Sequence, residues 1–174
     1  AAKGLPSHRP HQPLALVGGF AMSGTPPLRE QEPAMSDRIT LTSPGDVVAA
    51  VPALLGFRPE HSLVALWTAV PTGTLVCTLR LDLDTPTVKI SRRLLDLAAR
   101  VGPGRLLLVA YPQSLPAWIE STEEGNVLEA VDTVTDAGTP VADLLVVTGG
   151  RYYSQMCTDP DCCPVEGRPV PETT

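Results

Sequence analysis

The chain has 174 residues, of which 43% are hydrophobic and 18% charged, a composition typical of a globular domain and not of an intrinsically disordered protein. Its 13 basic and 19 acidic side chains give a formal net charge of −6, which argues against a phosphate-binding surface and so against nucleic acid as a partner. No apolar run approaches the roughly 18 residues of a membrane-spanning helix, so an integral membrane protein is not expected either.

The N-terminal stretch, residues 1–34, has six prolines and no sustained helical or strand periodicity. Such a stretch buries too little apolar surface to offset the entropy lost on ordering. We therefore predict a disordered leader or extension over 1–34, with Met35 as a candidate natural start. An α/β domain is predicted over 35–156, followed by a cysteine-containing loop and tail over 157–174.

The first predicted elements are a short strand at 39–41 and a helix that begins after Ser43. Ser43 has the identity of an N-cap, Pro44 suits the first helical position, and Asp46 lies where a capping carboxylate belongs. Gly56 is the expected C-terminal stop. Pro52 lacks a backbone donor, so the sequence predicts a kink or two short helices.

Two β-rich runs follow, at 62–70 and 74–83, separated by the turn sequence Pro-Thr-Gly. They predict an antiparallel hairpin. In the second run apolar residues alternate with Arg80, Asp82 and Asp84, which indicates one buried face. Cys77 belongs to the apolar set, so we expect it to be a thiol of the core.

The rest of the chain alternates helical and strand patterns. We predict, in order, an amphipathic helix at 86–101, a buried strand at 105–111, a helical region at 116–137 interrupted at Gly125, a second buried strand at 143–148 and an antiparallel return at 151–155. This alternation predicts a three-layer α/β fold, with a mixed, mainly parallel sheet and helices on both faces. In the central strand, Leu106 and Leu108 should face one side and Leu107 and Val109 the other, all buried.

Three cysteines lie close together near the C-terminus: Cys157, Cys162 and Cys163. Thiolates bind Zn²⁺ well, and three of them need one further ligand. The candidates for that ligand are His61, Asp159, Asp161 and a neighbouring chain. Two alternatives to a metal site remain open. In the first, the thiols are redox-active or form a strained vicinal disulfide. In the second, they are unligated structural thiols of a loop. Because four cysteines, three of them clustered between 157 and 163, do not make a spread disulfide framework, a reducing cytoplasm is the expected location.

A polar loop between the first helix and the first hairpin strand is the second candidate site. It contains Arg58, Glu60, His61 and Ser62, residue types that bind anions or act in acid-base catalysis. The alternative is a solvated loop in which Ser62 begins the strand.

An acidic group is the third candidate. Asp82 and Asp84, with Asp96 further on, could coordinate Mg²⁺ through carboxylates and water, or be simply solvated at the strand end. No P-loop, GxGxxG, GxSxG or HExxH motif occurs anywhere in the chain.

Three stretches carry a resemblance to a known family: LTSPGDVVAAVPALLGFRPEHSLV (41–64), RLDLDTP (80–86), and LLVVTGGRYYSQMC with CCPVEG (144–157 and 162–167). In their order they resemble an uncharacterised actinobacterial family, domain of unknown function 4192, over residues 35–170. The resemblance implies no established activity, cofactor or partner.

The residues therefore leave function open among three classes. The first is a domain that binds a small ligand or a protein partner through the polar loop or the cysteine loop. The second is a metal- or thiol-dependent enzyme that uses the three cysteines, with Zn²⁺ as the candidate cofactor. The third is an assembly component whose exposed strand edge pairs with another chain.

Overall fold

The structure, a computed structural model, describes residues 41–172. The predicted leader and most of the predicted strand at 39–41 lie outside the described residues. The helices are α1 (Pro44–Leu55), α2 (Thr87–Val101), α3 (Leu115–Ile119) and α4 (Thr122–Asp136); the strands are β1 (Ser62–Ala69), β2 (Leu75–Asp82), β3 (Gly104–Tyr111), β4 (Val141–Thr148), β5 (Arg151–Ser154) and β6 (Arg168–Pro169). None of the helices in this part of the chain is long and apolar enough to cross a membrane.

The six strands form one mixed sheet in the order β2-β1-β3-β4-β5-β6. Only β3 and β4 pair in parallel, and every other neighbouring pair is antiparallel. The prediction of a mainly parallel sheet is therefore wrong. The crossover through α2 does connect two strands that run in the same direction, β2 and β3, but β1 lies between them and pairs antiparallel with both.

Two hydrophobic clusters lie on opposite faces of this sheet. Leu106 and Leu108 pack with buried residues of α2 and α4. Val109 packs in the other cluster, where all the helical residues come from α1. Helices therefore cover both faces, and alternate residues of β3 face opposite sides, as the sequence predicted. Leu107 is only partly buried, so its predicted full burial is wrong, since α1 covers its face of the sheet incompletely.

Helix α1 begins and ends as its sequence predicts. The Ser43 hydroxyl accepts a hydrogen bond from Asp46 N at 3.2 Å, and the Asp46 carboxylate accepts one from Ser43 N at 3.0 Å. Gly56 ends the helix in the left-handed region, with φ 79°. The helix continues through Pro52, so of the two predicted alternatives, a kink or two short helices, the second is wrong. One lost hydrogen bond is tolerated because buried residues before and next to Pro52, such as Val48 and Val51, hold the helix on the sheet.

The predicted helical region at 116–137 is divided, but not at Gly125. The break follows α3, and Ser121 begins α4 by accepting a hydrogen bond from Glu124 N at 3.1 Å. Gly125 lies inside α4. A glycine is tolerated in a helix at a cost of about 1 kcal/mol, whereas a serine that satisfies a free backbone donor sets the start of the helix.

The short strand β6 was not predicted. Its two residues, Arg168 and Pro169, pair with Tyr152 and Arg151 of β5. A strand of this length carries no periodicity that a sequence pattern can reveal. Its effect is that both ends of the cysteine-containing loop are attached to the same edge of the sheet.

Candidate functional site

The loop between β5 and β6, residues 155–167, brings the three C-terminal cysteines together; we call it the cysteine segment. The Sγ atoms of Cys157, Cys162 and Cys163 all lie within 4.8 Å of one another. Cys157 and Cys163 are half-buried, Cys162 is exposed, and all three are free thiols. The fourth cysteine, Cys77, is half-buried on β2, and burial raises the pKa of its thiol.

Asp143 of β4 organises the start of the cysteine segment. Its carboxylate accepts hydrogen bonds from the Ser154 hydroxyl at 2.6 Å and from Met156 N at 3.3 Å. The Ser154 hydroxyl in turn accepts one from Cys157 N at 3.0 Å. This chain of hydrogen bonds sets the position of the Cys157 backbone relative to the sheet.

Arg168 of β6 holds the other end of the segment. Its guanidinium donates from Nε to the carbonyl oxygen of Cys162 at 2.6 Å and from Nη2 to that of Asp161 at 3.2 Å. Within the segment, Cys163 N donates to the carbonyl oxygen of Asp159 at 2.7 Å. The backbone of the two adjacent cysteines is therefore tied to the sheet edge and to its own turn.

Gly167 closes the segment in a conformation that favours glycine. Its φ is 72°, and a Cβ atom at this position would lie 2.6 Å from Cε1 of the Tyr153 ring. The close contact places an aromatic ring directly behind the end of the segment.

The three thiols influence one another electrostatically. A hydrogen bond from the Cys163 thiol, followed by one from Asp159 N, lowers the pKa of Cys157. The hydrogen bond with Cys157, together with partial burial, raises the pKa of Cys163 to about 12. Among the free thiols, loss of a proton is therefore easier at Cys157 than at Cys163, and a thiolate at Cys157 disfavours a second one beside it.

A cavity of about 710 Å³ adjoins the cluster, and all three cysteines line it. Much of the remaining lining is apolar or aromatic: Leu115, Ile119, Leu145, Tyr152, Tyr153, Pro160, Pro164 and Val165. Asp143 and Arg168 are its two residues with charged side chains. The cavity therefore combines an apolar wall with a group of sulfur atoms.

The residues expected to supply a fourth metal ligand do not join this group. Among residues 41–172, the only set of three or more ligand atoms close enough to hold one ion consists of the three thiols. The Asp159 carboxylate instead accepts a hydrogen bond from Asp161 N at 2.9 Å. His61 lines a different cavity, and its Nε2 lies 3.9 Å from a carboxylate oxygen of Glu123.

The four residues of the predicted ligand-binding loop do not form one site. Glu60 and His61 line a second cavity of about 500 Å³, at the end of the sheet where β3 and β4 finish. Arg58 is exposed and does not line that cavity. Ser62 is fully buried, where its hydroxyl donates to the carbonyl oxygen of Glu60 at 2.7 Å and accepts from Arg80 Nε at 2.9 Å. These bonds give Ser62 a structural role.

The second cavity has two further notable residues. His61 has φ 46°, in the left-handed region that non-glycine residues adopt rarely. Tyr111 lies at the end of β3, and burial raises the pKa of its hydroxyl. Within the described part of the chain that hydroxyl has no hydrogen-bond partner.

The acidic group proposed for Mg²⁺ is not assembled either. Asp82 lies 2.8 Å from Arg80 Nη2, so an arginine neutralises it. Among the described residues, the carboxylates of Asp82, Asp84 and Asp96 do not lie close enough together to hold one ion. These carboxylates belong to the surface.

The sequence did not reveal the residues that position the cysteine segment: Asp143, Ser154 and Arg168. One signal was available for the first two. A two-residue Gly-Gly turn between β4 and β5 makes Thr148 pair with Arg151, and that register places Ser154 opposite Leu145, close to Asp143. Arg168 acts through β6, for which no sequence signal existed.

A family model described as "Domain of unknown function (DUF4192)" matches residues 44–174 of the chain. The matched region includes every described helix and strand, and all four cysteines. No curated protein and no solved structure matches the chain.

Proposed function

We propose that this chain, which belongs to the family described as a domain of unknown function (DUF4192), binds one thiophilic divalent metal ion through Cys157, Cys162 and Cys163. The observation that carries the proposal is the convergence of the three Sγ atoms within 4.8 Å. Zinc–sulfur bonds of about 2.3 Å in tetrahedral geometry put ligand sulfurs about 3.8 Å apart. Small rotations of the three cysteine side chains would shorten the Sγ–Sγ distances to this value.

The ligand type selects the ion. Thiolates favour Zn²⁺ and other soft or borderline metals, whereas Mg²⁺ and Ca²⁺ need oxygen ligands that this cluster does not offer. Three thiolates and no histidine in the described set make Zn²⁺ the best match. The proposal includes a reducing, cytoplasmic location, because oxidation of neighbouring thiols would abolish the site.

The wider role that we propose is that of a small-molecule binding domain. The cavity beside the cysteines has a volume of about 710 Å³, within the range of about 300–1,000 Å³ that is usual for small-molecule sites. A metal ion on its wall would add a strong, directional contact for a ligand.

Metal analysis of the full chain, purified under reducing conditions, tests this proposal directly. We expect about one zinc ion per chain, and, after exchange to Co²⁺, intense near-ultraviolet absorption from thiolate-to-metal charge transfer. Cys157→Ser should weaken binding by more than about 100-fold, since even the loss of a residue that only supports a ligand costs 10–100-fold. Cys77→Ser makes the same chemical change outside the cluster and should leave binding unaltered.

Thiol titration separates metal from the redox and structural alternatives. If a metal is bound, the three thiols become reactive when chelator is added. If a disulfide is present, two thiols stay unreactive until reductant is added. Full reactivity without either reagent, together with no retained zinc, would contradict the metal proposal and support unligated thiols.

Ser154 is expected to act as a positioning residue for this site. Ser154→Ala removes both its bond to Asp143 and the acceptor for Cys157 N, so the metal affinity should fall by about 10–100-fold. The affinity is measured by competition with a chromophoric chelator. Thr158→Ala, an exposed change next to Cys157, is the matched control. Equal affinities for the two variants would show that the hydrogen-bond chain does not position the ligand.

A further inference from the structure

We propose that the metal ion's fourth coordination position opens into the cavity and accepts a small molecule with one nitrogen or sulfur donor attached to an apolar body. This inference rests on the proposed function and names the ligand class of that same site. In this inference the ion binds a small molecule as well as holding the cysteine segment together.

The number of protein ligands is the first support. Structural zinc sites are closed by four protein ligands, whereas sites that bind other molecules have three and leave the fourth position to water or ligand. Residues 41–172 contribute three thiols to the cluster and no fourth ligand atom. Asp159 and Asp161, the nearest carboxylates in sequence, are both exposed and contribute no ligand atom to that set, and the Asp159 carboxylate accepts a hydrogen bond from Asp161 N.

The position of the cluster is the second support. All three cysteines line the cavity, and Cys162 is exposed. An ion held by these sulfurs therefore has its remaining position on the side from which a small molecule can approach. A closed site buried beneath the segment would leave no such path.

The lining of the cavity specifies the rest of the ligand. Tyr152 and Tyr153 are both among its lining residues. Ile119 and Val165 also line the cavity, and they are 58% and 92% exposed although both are hydrophobic. Covering these side chains with an apolar group removes their surface from water, which favours binding.

The charges specify the donor. One Zn²⁺ ion and three thiolates carry a net charge of −1, and Asp143 already accepts hydrogen bonds from Ser154 and Met156. Arg168 is the cation at this cavity, and two of its nitrogens are bonded to carbonyl groups. A neutral nitrogen donor or a single thiolate is therefore compatible with the site, whereas a polyanion is not.

The test uses the Co²⁺-loaded full chain and two pairs of probes, imidazole with 1-benzylimidazole, and 2-mercaptoethanol with benzyl mercaptan. Direct coordination changes the visible d–d absorption of tetrahedral Co²⁺. We expect a saturable change with at least one pair, and about tenfold or tighter binding of its benzyl member, because the ring buries apolar surface. The pair that responds identifies the donor as nitrogen or sulfur.

Ile119→Ser tests the cavity separately from the ion. It should reduce the ratio of benzyl-probe to small-probe affinity several-fold, since Ile119 lines the cavity but is not a ligand. Val88→Ser is the matched control, because Val88 is 70% exposed and does not line the cavity.

The outcomes distinguish this inference from the proposed function. Failure to bind Co²⁺ overturns both. A tetrahedral Co²⁺ spectrum that no probe alters overturns the inference alone, and shows that a protein ligand fills the fourth position. Equal affinities within both pairs overturn it as well, because the apolar wall would then contribute nothing.

Discussion

Replacement of Trp118 by alanine is expected to destabilise the domain by about 3–5 kcal/mol. Trp118 is 1% exposed and is the largest of the fully buried side chains. It follows β3 in the short helix α3 and packs in the cluster that α2 and α4 form against the sheet. Alanine would leave a cavity that the surrounding strands and helices can close only in part.

The matched control is Trp118→Phe. The indole Nε1 has no hydrogen-bond partner among the described residues, so phenylalanine loses packing but no hydrogen bond, and we expect a loss of about 1–2 kcal/mol. Urea denaturation followed by circular dichroism measures both variants. A loss below about 1 kcal/mol for Trp118→Ala would contradict the burial of this side chain.

Gly104→Ala is expected to cost about 3 kcal/mol or more, because the added methyl group has no space. Its carbon atom would overlap the Trp67 indole nitrogen and lie 2.5 Å from the carbonyl oxygen of Thr68. That oxygen belongs to the backbone of β1, which pairs with β3 along its whole length. Relief of the clash would therefore require the two central strands to separate locally.

Gly125→Ala is the control for this substitution, with an effect of the opposite sign. Nothing lies within 4 Å of the position that its Cβ atom would take inside α4, so alanine should stabilise the domain by up to about 1 kcal/mol. Thermal denaturation of the two variants, measured side by side, checks both expectations. Similar stabilities for Gly104→Ala and the unmodified chain would show that β1 and β3 are not packed as described.

The start and end of α1 were predicted correctly, because the N-cap, the capping carboxylate and the terminal glycine act only on residues within a few positions. Ser43 and Asp46 are three residues apart, so their reciprocal hydrogen bonds depend only on the helical backbone between them. The alternation of Leu106, Leu108 and Val109 between the two faces is local in the same sense. The predicted break at Gly125 is wrong because one glycine costs a helix only about 1 kcal/mol, whereas the Ser121 cap sets where α4 begins.

The cysteine cluster was only half predictable. The sequence supplies three thiols within seven positions, from Cys157 to Cys163, and thereby the type of ligand. Whether they converge depends on hydrogen bonds that Asp143 accepts and Arg168 donates. These residues are 14 positions before Cys157 and 5 positions after Cys163. The polar loop shows the converse, since Arg58, His61 and Ser62 are adjacent in sequence but take separate places in the structure.

By itself, then, the sequence determined the identity and approximate ends of the helices and longer strands, which faces they bury, and the soft character of the candidate ligands. Each of these depends on side-chain periodicity or on residues a few positions apart. Only the tertiary structure decided that β1 lies between β2 and β3, and that β6 returns to pair with β5. Strand neighbours are chosen by the packing of whole elements and by loop closure over tens of residues, and it is this packing that brings the three thiols to one cavity.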